Sequence, residues 1–330
     1  MDARERMNLL GSRGIPFLFI IDFDMARPVV QPLAEIDPKE ILYDINGVTN
    51  APRRGALSAD RTHRVMENRP LIISMRPMPY EQYAAACVAV QDHERAGDSY
   101  LLNLTFPTRI ELAVPLDSIF HLSGAKYRLR YRDEFVVFSP EPFVRIRDGS
   151  ISSFPMKGTI NAAIPDAERI IMEDEKEFAE HLTIVDLIRN DLNMVARRVR
   201  VERFRYIERV RARGRDLLQV SSEIRGELAQ GYERRIGDII FTILPAGSVT
   251  GAPKRRTVEI IKEIEGYERG YYTGILGWSD GARLDSGVMI RFIEKHGDSY
   301  VYKSGGGITV YSDPASEYRE LLDKIYVPLD

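Results

Sequence analysis

Apolar residues recur every three or four positions in four segments of the chain, as they do on the buried face of a helix. One of these segments is followed by Gly266, a residue type that commonly ends a helix. Another segment follows Asp313, a favourable N-cap residue, and has Pro314 at its first helical position. The predicted helices span residues 80–96, 174–192, 254–265 and 314–325.

Short apolar runs between turn residues dominate the sequence from residue 100 onward, and they predict strands. No clear linker, internal repeat or low-complexity tract divides the chain, so we expect one unit that mixes helices and strands. The predicted strands span residues 16–23, 101–110, 127–129, 135–139, 143–147, 150–155, 271–278, 288–294 and 300–304.

The composition narrows the class of protein. A chain of 330 residues with 44% hydrophobic and 29% charged residues is typical of a soluble globular protein. A net charge of -3 gives no reason to expect nucleic acid as a partner, and no apolar run is long enough to span a membrane. The single cysteine, Cys87, cannot form an internal disulfide and lies in an alanine-rich run, so we expect a buried helical thiol and a cytoplasmic location.

Two pairs of glutamates stand out on the predicted helices. Glu177 with Glu180 and Glu317 with Glu320 each have i, i+3 spacing, so both carboxylates of a pair project from one face. Like charges at this spacing repel unless a cation lies between them, and oxygen ligands of this kind suit Mg²⁺. The alternative is two solvated helix faces.

A lysine in a constrained loop is a second candidate. Lys157 lies between Pro155 and Gly158, so the backbone holds it in place, and nearby cations or burial would lower its pKa and make it a nucleophile. The alternative is a surface lysine in a turn.

Three further features could bind an anion. The segment from Pro245 to Lys254 places small residues and a hydroxyl at a helix start, which favours carboxylates, although a structural cap explains it equally well. Gly305, Gly306 and Gly307 follow a predicted strand and would allow close approach of a ligand, or form a simple turn. Arg291 interrupts an apolar strand-like pattern and suits a bidentate carboxylate partner.

Taken in order, these segments resemble the chorismate-utilising enzymes, which include the large subunits of anthranilate synthase and aminodeoxychorismate synthase and the isochorismate and salicylate synthases. The matching segments lie between residues 100 and 325. They are Tyr-Leu-Leu-Asn-Leu-Thr at 100, Ser-Pro-Glu-Pro-Phe at 139, Pro-Met-Lys-Gly-Thr at 155, Ala-Glu-His-Leu-Thr-Ile-Val-Asp-Leu-Ile-Arg-Asn-Asp-Leu at 179, Pro-Ala-Gly-Ser-Val-Thr-Gly-Ala-Pro-Lys at 245, Arg-Gly-Tyr-Tyr-Thr-Gly at 269 and Ser-Gly-Gly-Gly-Ile at 304 through Glu-Tyr-Arg-Glu at 317.

The resemblance implies an α+β fold with an anthranilate synthase component I-like β-sandwich core covered by helices. It implies a single chorismate-binding enzyme domain over residues 1–330, with a shortened N-terminal region at 1–99 and the family-like catalytic core at 100–327. The four glutamates would hold Mg²⁺ on the ring carboxylate of chorismate. Substrate contacts are expected from Thr159, Thr250, Gly251, Tyr272, Arg291, Gly305, Gly306, Gly307 and Lys324.

The residues at two matching positions favour the aminodeoxychorismate synthase branch. That branch has a lysine at the position of Lys157, which attacks C2 of chorismate while the C4 hydroxyl leaves. Isochorismate and salicylate synthases have a lysine where this chain has Leu101, and leucine cannot activate water. The family's usual histidine is replaced by Gln219, which is therefore a catalytic candidate that cannot deliver a proton.

The resemblance also implies a partner. A separate glutamine amidotransferase subunit would supply ammonia, since the chain has no plausible glutaminase thiol. Anthranilate synthase component I and a chorismate-binding protein without turnover remain as alternatives.

Overall fold

Two antiparallel β-sheets form the centre of the molecule. The structure, a computed structural model, describes residues 1–52, 70–212 and 215–329, and within these ranges each sheet contains nine strands. The strands are β1 (Phe17–Ile21), β2 (Val29–Pro32), β3 (Ile41–Ile45), β4 (Val48–Thr49), β5 (Ile72–Arg76), β6 (Leu101–Leu112), β7 (Tyr127–Tyr131), β8 (Phe135–Ser139), β9 (Pro142–Arg147), β10 (Ser150–Ser153), β11 (Met156–Asn161), β12 (Arg197–Ala212), β13 (Arg215–Glu227), β14 (Gly251–Ala252), β15 (Ile275–Ser279), β16 (Leu284–Val288), β17 (Phe292–His296) and β18 (Ser299–Ile308).

Helices cover the outer faces of both sheets. In the described part of the chain they are α1 (Ala3–Ser12), α2 (Tyr80–Arg95), α3 (Leu116–Leu122), α4 (Ala167–Glu173), α5 (Glu175–Asn193), α6 (Ile236–Ile243), α7 (Lys254–Glu265) and α8 (Pro314–Asp323). None of them combines the length and the apolar character needed to cross a bilayer.

The strand order brings distant segments together. One sheet runs β11-β13-β10-β9-β16-β15-β1-β2, with β12 paired to the other edge of β13. The second sheet runs β14-β6-β18-β17-β8-β7-β3-β4, with β5 paired to β6. Strand β18 pairs with β6 from Tyr300 opposite Ile110 to Ile308 opposite Leu102.

Both faces of the central strands are buried, because each sheet packs on the other sheet and on helices. In β1, Leu18 and Ile20 point into the core between the sheets, whereas Phe17, Phe19 and Ile21 pack with α1, α5 and α6. A separate apolar cluster joins α2, α7 and α8 to β6 and the end of β18. The predicted sandwich covered by helices is therefore confirmed.

Local signals explain the two helices that carry the acidic pairs. The Asp174 side chain accepts a hydrogen bond from the Glu177 backbone N–H at 2.9 Å, which caps α5. The Asp313 side chain accepts one from the Ser316 N–H at 2.8 Å, which caps α8. Part of the apolar stripe predicted for α5 faces outward, since Phe178 is 40% exposed.

Two predictions about strands are wrong in detail. The strand expected over 288–294 is broken, because β16 ends in one sheet and β17 begins in the other. Arg291 lies in the connection between the sheets, with a φ of 55°. The three glycines do not follow a strand, since Gly305, Gly306 and Gly307 are part of β18 and pair with β6.

Candidate active site

A cavity of about 1010 Å³ opens beside the ends of β11 and β18. Its volume is at the upper end of the range for small-molecule sites. Ten of the predicted site residues line it, and they come from α5, α8 and the residue that follows α8, three strands and the connection between the sheets. They are Lys157, Thr159, Glu177, Glu180, Gln219, Arg291, Gly307, Glu317, Glu320 and Lys324.

The two acidic pairs face the same cavity from different helices. Glu180 and Glu317 are 8% and 4% exposed, so each pair has one buried carboxylate, whereas Glu177 is half-buried and Glu320 is exposed. The Glu317 carboxylate accepts a hydrogen bond from the Ser312 hydroxyl at 2.8 Å. Burial, followed by the charge of Glu180, raises the pKa of Glu177, as expected for carboxylates that share a site.

The acidic residues fit Mg²⁺ in their chemistry, although they do not form a closed cage. Among the described residues, no three histidine, cysteine, aspartate or glutamate side chains are gathered closely enough to hold a metal ion by themselves. Mg²⁺ usually keeps several waters and is completed by an anionic substrate, so one or two carboxylates on each side of a cavity are a suitable donor set.

Lys157 projects into the cavity from β11 and is paired with an acidic residue. Its ammonium group donates to Glu180 at 2.8 Å. Burial opposes its charge, but Glu180, Glu177 and Glu320 outweigh this effect and raise the pKa of Lys157 above its ordinary value. The expected lowering by nearby cations is therefore wrong for this set of neighbours.

Lys324 and Arg291 add positive charge to the same cavity. Lys324 donates to the Gly305 carbonyl at 2.8 Å and to Glu320 at 2.6 Å, and burial lowers its pKa. The Arg291 guanidinium lies over the Tyr326 ring, 5.2 Å from its centroid. Its Nε has no hydrogen-bond partner among the described residues, so the group can still bind a carboxylate.

Five predicted substrate contacts do not line the cavity. Thr250 is buried and donates to the Ala246 carbonyl at 2.9 Å, while Gly251 pairs with Leu102 at the sheet edge. Tyr272 is buried in the core between the sheets, with Arg291 within electrostatic range. The Gly305 carbonyl accepts a hydrogen bond from Lys324, and a Cβ added to Gly306 would lie 3.5 Å from Lys324 Nζ, so both glycines adjoin residues that line the cavity.

Gln219 lies on β13 opposite Thr159 of β11. Its side-chain amide donates to the sulfur of Met156 at 2.8 Å. A glutamine held in this way can orient its neighbours, but it has no proton to transfer at neutral pH.

Sequence reasoning assigned no role to Glu141, although it lies in the Ser-Pro-Glu-Pro-Phe segment. Its carboxyl accepts a hydrogen bond from Ser248, and burial raises its pKa above the ordinary range although Lys157, Arg291 and Lys324 lie within electrostatic range. Part of its surface is accessible, and it lines a small cavity of about 20 Å³ next to the large one. The sequence signal that could have indicated this residue is a glutamate between two prolines, Pro140 and Pro142.

The sequence matches the family model described as chorismate binding enzyme over residues 48–330. The chain therefore belongs to this family. An uncharacterized PabA-like protein from Haemophilus influenzae is 45% identical over 328 residues, which cover 99% of this chain and 96% of that protein. Aminodeoxychorismate synthase component 1 from Bacillus subtilis is 32% identical over 266 residues, 76% of this chain and 55% of that protein.

A solved structure supports the same fold. Anthranilate synthase component I from Streptococcus pneumoniae superposes with a TM-score of 0.70 at 20% identity, covering 98% of this chain and 84% of that one. The predicted anthranilate synthase component I-like fold is therefore confirmed.

Proposed function

We propose that this protein converts chorismate and ammonia to 4-amino-4-deoxychorismate, a step toward 4-aminobenzoate and folate. The observation that carries the proposal is Lys157, whose amine projects into the cavity beside both acidic pairs. Leu101, only 3% exposed, occupies the position at which the resemblance implies a water-activating lysine in isochorismate and salicylate synthases, and leucine cannot act as a base. Amination through a lysine nucleophile therefore suits this site better than hydroxylation.

Glu177, Glu180, Glu317 and Glu320 would hold Mg²⁺. When bound, the ion supplies positive charge for the ring carboxylate of chorismate. Arg291, whose Nε has no hydrogen-bond partner within residues 1–52, 70–212 and 215–329, would bind the enolpyruvyl carboxylate, and Lys324 adds a second positive charge nearby.

In this reaction Lys157 is the nucleophile and Glu141 is the general acid. Lys157 attacks C2 as the neutral amine after its ammonium group has released a proton to solvent, and its bond to Glu180 at 2.8 Å places the amine in the cavity. The new N–C2 bond forms as the C4–O bond breaks, and Glu141 donates the proton that lets the hydroxyl leave as water. Ammonia then bonds to C4 and the lysine leaves C2, with the ring double bonds shifting back.

A separate glutamine amidotransferase would supply the ammonia. Glutamine hydrolysis by a thiol requires a reactive thiolate, and Cys87 is fully buried in α2. Burial raises the pKa of the Cys87 thiol to about 11, which keeps it protonated at neutral pH.

The test is a product assay. Purified protein is incubated with chorismate, Mg²⁺ and ammonium at alkaline pH, with and without aminodeoxychorismate lyase. We expect slow loss of chorismate and, with the lyase, 4-aminobenzoate. Fluorescent anthranilate as the product would reassign the protein to the anthranilate synthases. Mg²⁺-dependent binding by calorimetry with no product over hours would make it a chorismate-binding protein without turnover.

A further inference from the structure

Ser248 forms the closest polar contact of the buried acid Glu141. Its hydroxyl donates to Glu141 Oε1 at 2.5 Å. A hydroxyl is both donor and acceptor, so it can donate to the carboxylate and, after rotation, accept from the carboxylic acid. Ser248 can therefore stay bonded to Glu141 in both protonation states of a catalytic cycle.

The turn that carries Ser248 is fixed on several sides. Thr250 donates to the Ala246 carbonyl at 2.9 Å, and Arg269 donates to the Val249 carbonyl at 2.8 Å. A Cβ added to Gly247 would lie only 3.2 Å from the Asp191 carboxylate, so the turn packs tightly on α5. Ser248 is consequently held on a rigid element rather than on a mobile loop.

We propose that Ser248 is a positioning residue, which holds the Glu141 carboxyl in the orientation needed to protonate the leaving hydroxyl. This inference rests on the proposed role of Glu141 as the acid. Glu141 and Ser248 line the small cavity together, so without the bond the carboxyl has room there to change its orientation. A displacement of about 1 Å at a reacting group is enough to cost roughly a hundredfold in rate.

The surrounding charges define how Ser248 affects the acid. Lys157, Arg291 and Lys324 lie within electrostatic range of Glu141, and Tyr272 contributes a neutral hydroxyl. Behind the turn, Asp191 is paired with Lys254 at 2.7 Å. Burial raises the pKa of Glu141, whereas the Ser248 bond lowers it, so Ser248 keeps the buried proton available for transfer.

The experiment compares Ser248→Ala, Ser248→Thr and Ser153→Ala. Ser153 lines the same small cavity but donates to the Phe143 carbonyl, so its variant removes a hydroxyl without touching Glu141. We expect Ser248→Ala to lower kcat by roughly 10- to 100-fold with little change in the KM for chorismate. We expect Ser248→Thr to restore most of the rate and Ser153→Ala to behave as wild type.

The pH profile separates positioning from a general loss of structure. Loss of the Ser248 donor raises the pKa of Glu141 further, so the basic limb of the kcat profile should move to higher pH in Ser248→Ala alone. An unchanged profile, or an equal loss of rate in Ser153→Ala, would overturn the inference.

A spectroscopic measurement distinguishes failure of this inference from failure of the proposed function. The infrared band of the protonated Glu141 carboxyl is assigned from its disappearance in Glu141→Gln. It should shift to higher frequency in Ser248→Ala, because a hydrogen-bond partner is lost, and stay in place in Ser153→Ala. If the Glu141 carboxyl band does not shift in Ser248→Ala, the Ser248 inference is wrong even if the enzyme makes aminodeoxychorismate. A shifted band with no product would contradict the proposed function, and with it the catalytic role of Glu141, but would confirm that Ser248 holds the Glu141 carboxyl.

Discussion

Gly307 leaves the space that the Lys157 amine occupies. A Cβ added to Gly307 would lie 3.0 Å from Lys157 Nζ and 3.1 Å from a methyl group of Leu101. These separations are shorter than ordinary van der Waals contacts, so the flexible end of the lysine would have to move. The glycine thus fixes the position of the amine as well as opening the cavity.

Gly307→Ala should lower activity without unfolding the protein. Because the lysine end can shift, the free energy of unfolding should change by less than about 0.5 kcal/mol. The displaced amine should lower kcat roughly 10- to 100-fold. Gly306→Ala is the comparison for strain in the strand, since its Cβ would meet its nearest atom, Lys324 Nζ, at an ordinary contact distance of 3.5 Å and would not displace Lys157. Equal kcat values for Gly307→Ala and wild type would contradict the assigned contact.

Lys157→Arg should abolish formation of aminodeoxychorismate while the protein stays folded. The guanidinium keeps a positive charge opposite Glu180, but it is not a nucleophile at any accessible pH. Product formation is followed with the lyase, and folding by circular dichroism. Lys157→Ala should be equally inactive and less stable, because it leaves Glu180 buried without this cation. Turnover near the wild-type rate in either variant would exclude the covalent route.

Glu141→Gln should lower kcat by about a hundred- to ten-thousandfold, the usual range for loss of a general acid. Since the acid works in its protonated form and burial raises its pKa, wild-type activity should fall as the pH rises through that raised value. The variant should lack this limb of the kcat profile. Gln219→Ala serves as the comparison, because an amide carries no transferable proton. A greater loss in Gln219→Ala than in Glu141→Gln would reverse the assignment.

Glu265→Ala should destabilise the fold by about 3–5 kcal/mol, since it leaves a buried arginine without its anion. Glu265 and Arg269 are each 1% exposed, form a 2.6 Å pair and connect the end of α7 to β6 and to the turn of Ser248. Urea unfolding measures the change. Glu259→Ala, on the exposed face of the same helix, is the control and should have a far smaller effect. Similar midpoints for the two variants would refute the structural role of the pair.

Local signals made the site helices predictable from the sequence. Asp313 and Pro314 fix the start of α8, and the glutamate spacing places both carboxylates of a pair on one side. The sequence alone could not show that the pairs meet, because α5 and α8 are far apart in the chain. The family resemblance supplied that convergence, and the common cavity agrees with it.

The errors arose where contacts between distant segments decide the outcome. The apolar pattern from Val288 to Ile293 looks continuous, but the chain changes sheets within it and leaves Arg291 between them. Likewise, the direction of the Lys157 pKa depends on which side chains surround the amine, and these come from α5 and α8. No role was predicted for Glu141, because its burial and its hydrogen bond to Ser248 exist only in the folded chain.

The three-residue connection between β16 and β17 ties Arg291, the residue proposed to bind the substrate carboxylate, to the packing of the two sheets. Met289, two residues before Arg291, is fully buried between the layers, and Phe292, the next residue, begins the second layer. Any slippage of one layer against the other must therefore shift the guanidinium. Consequently, substitutions deep in that shared interior can alter how the enzyme selects its metabolite although they never touch it.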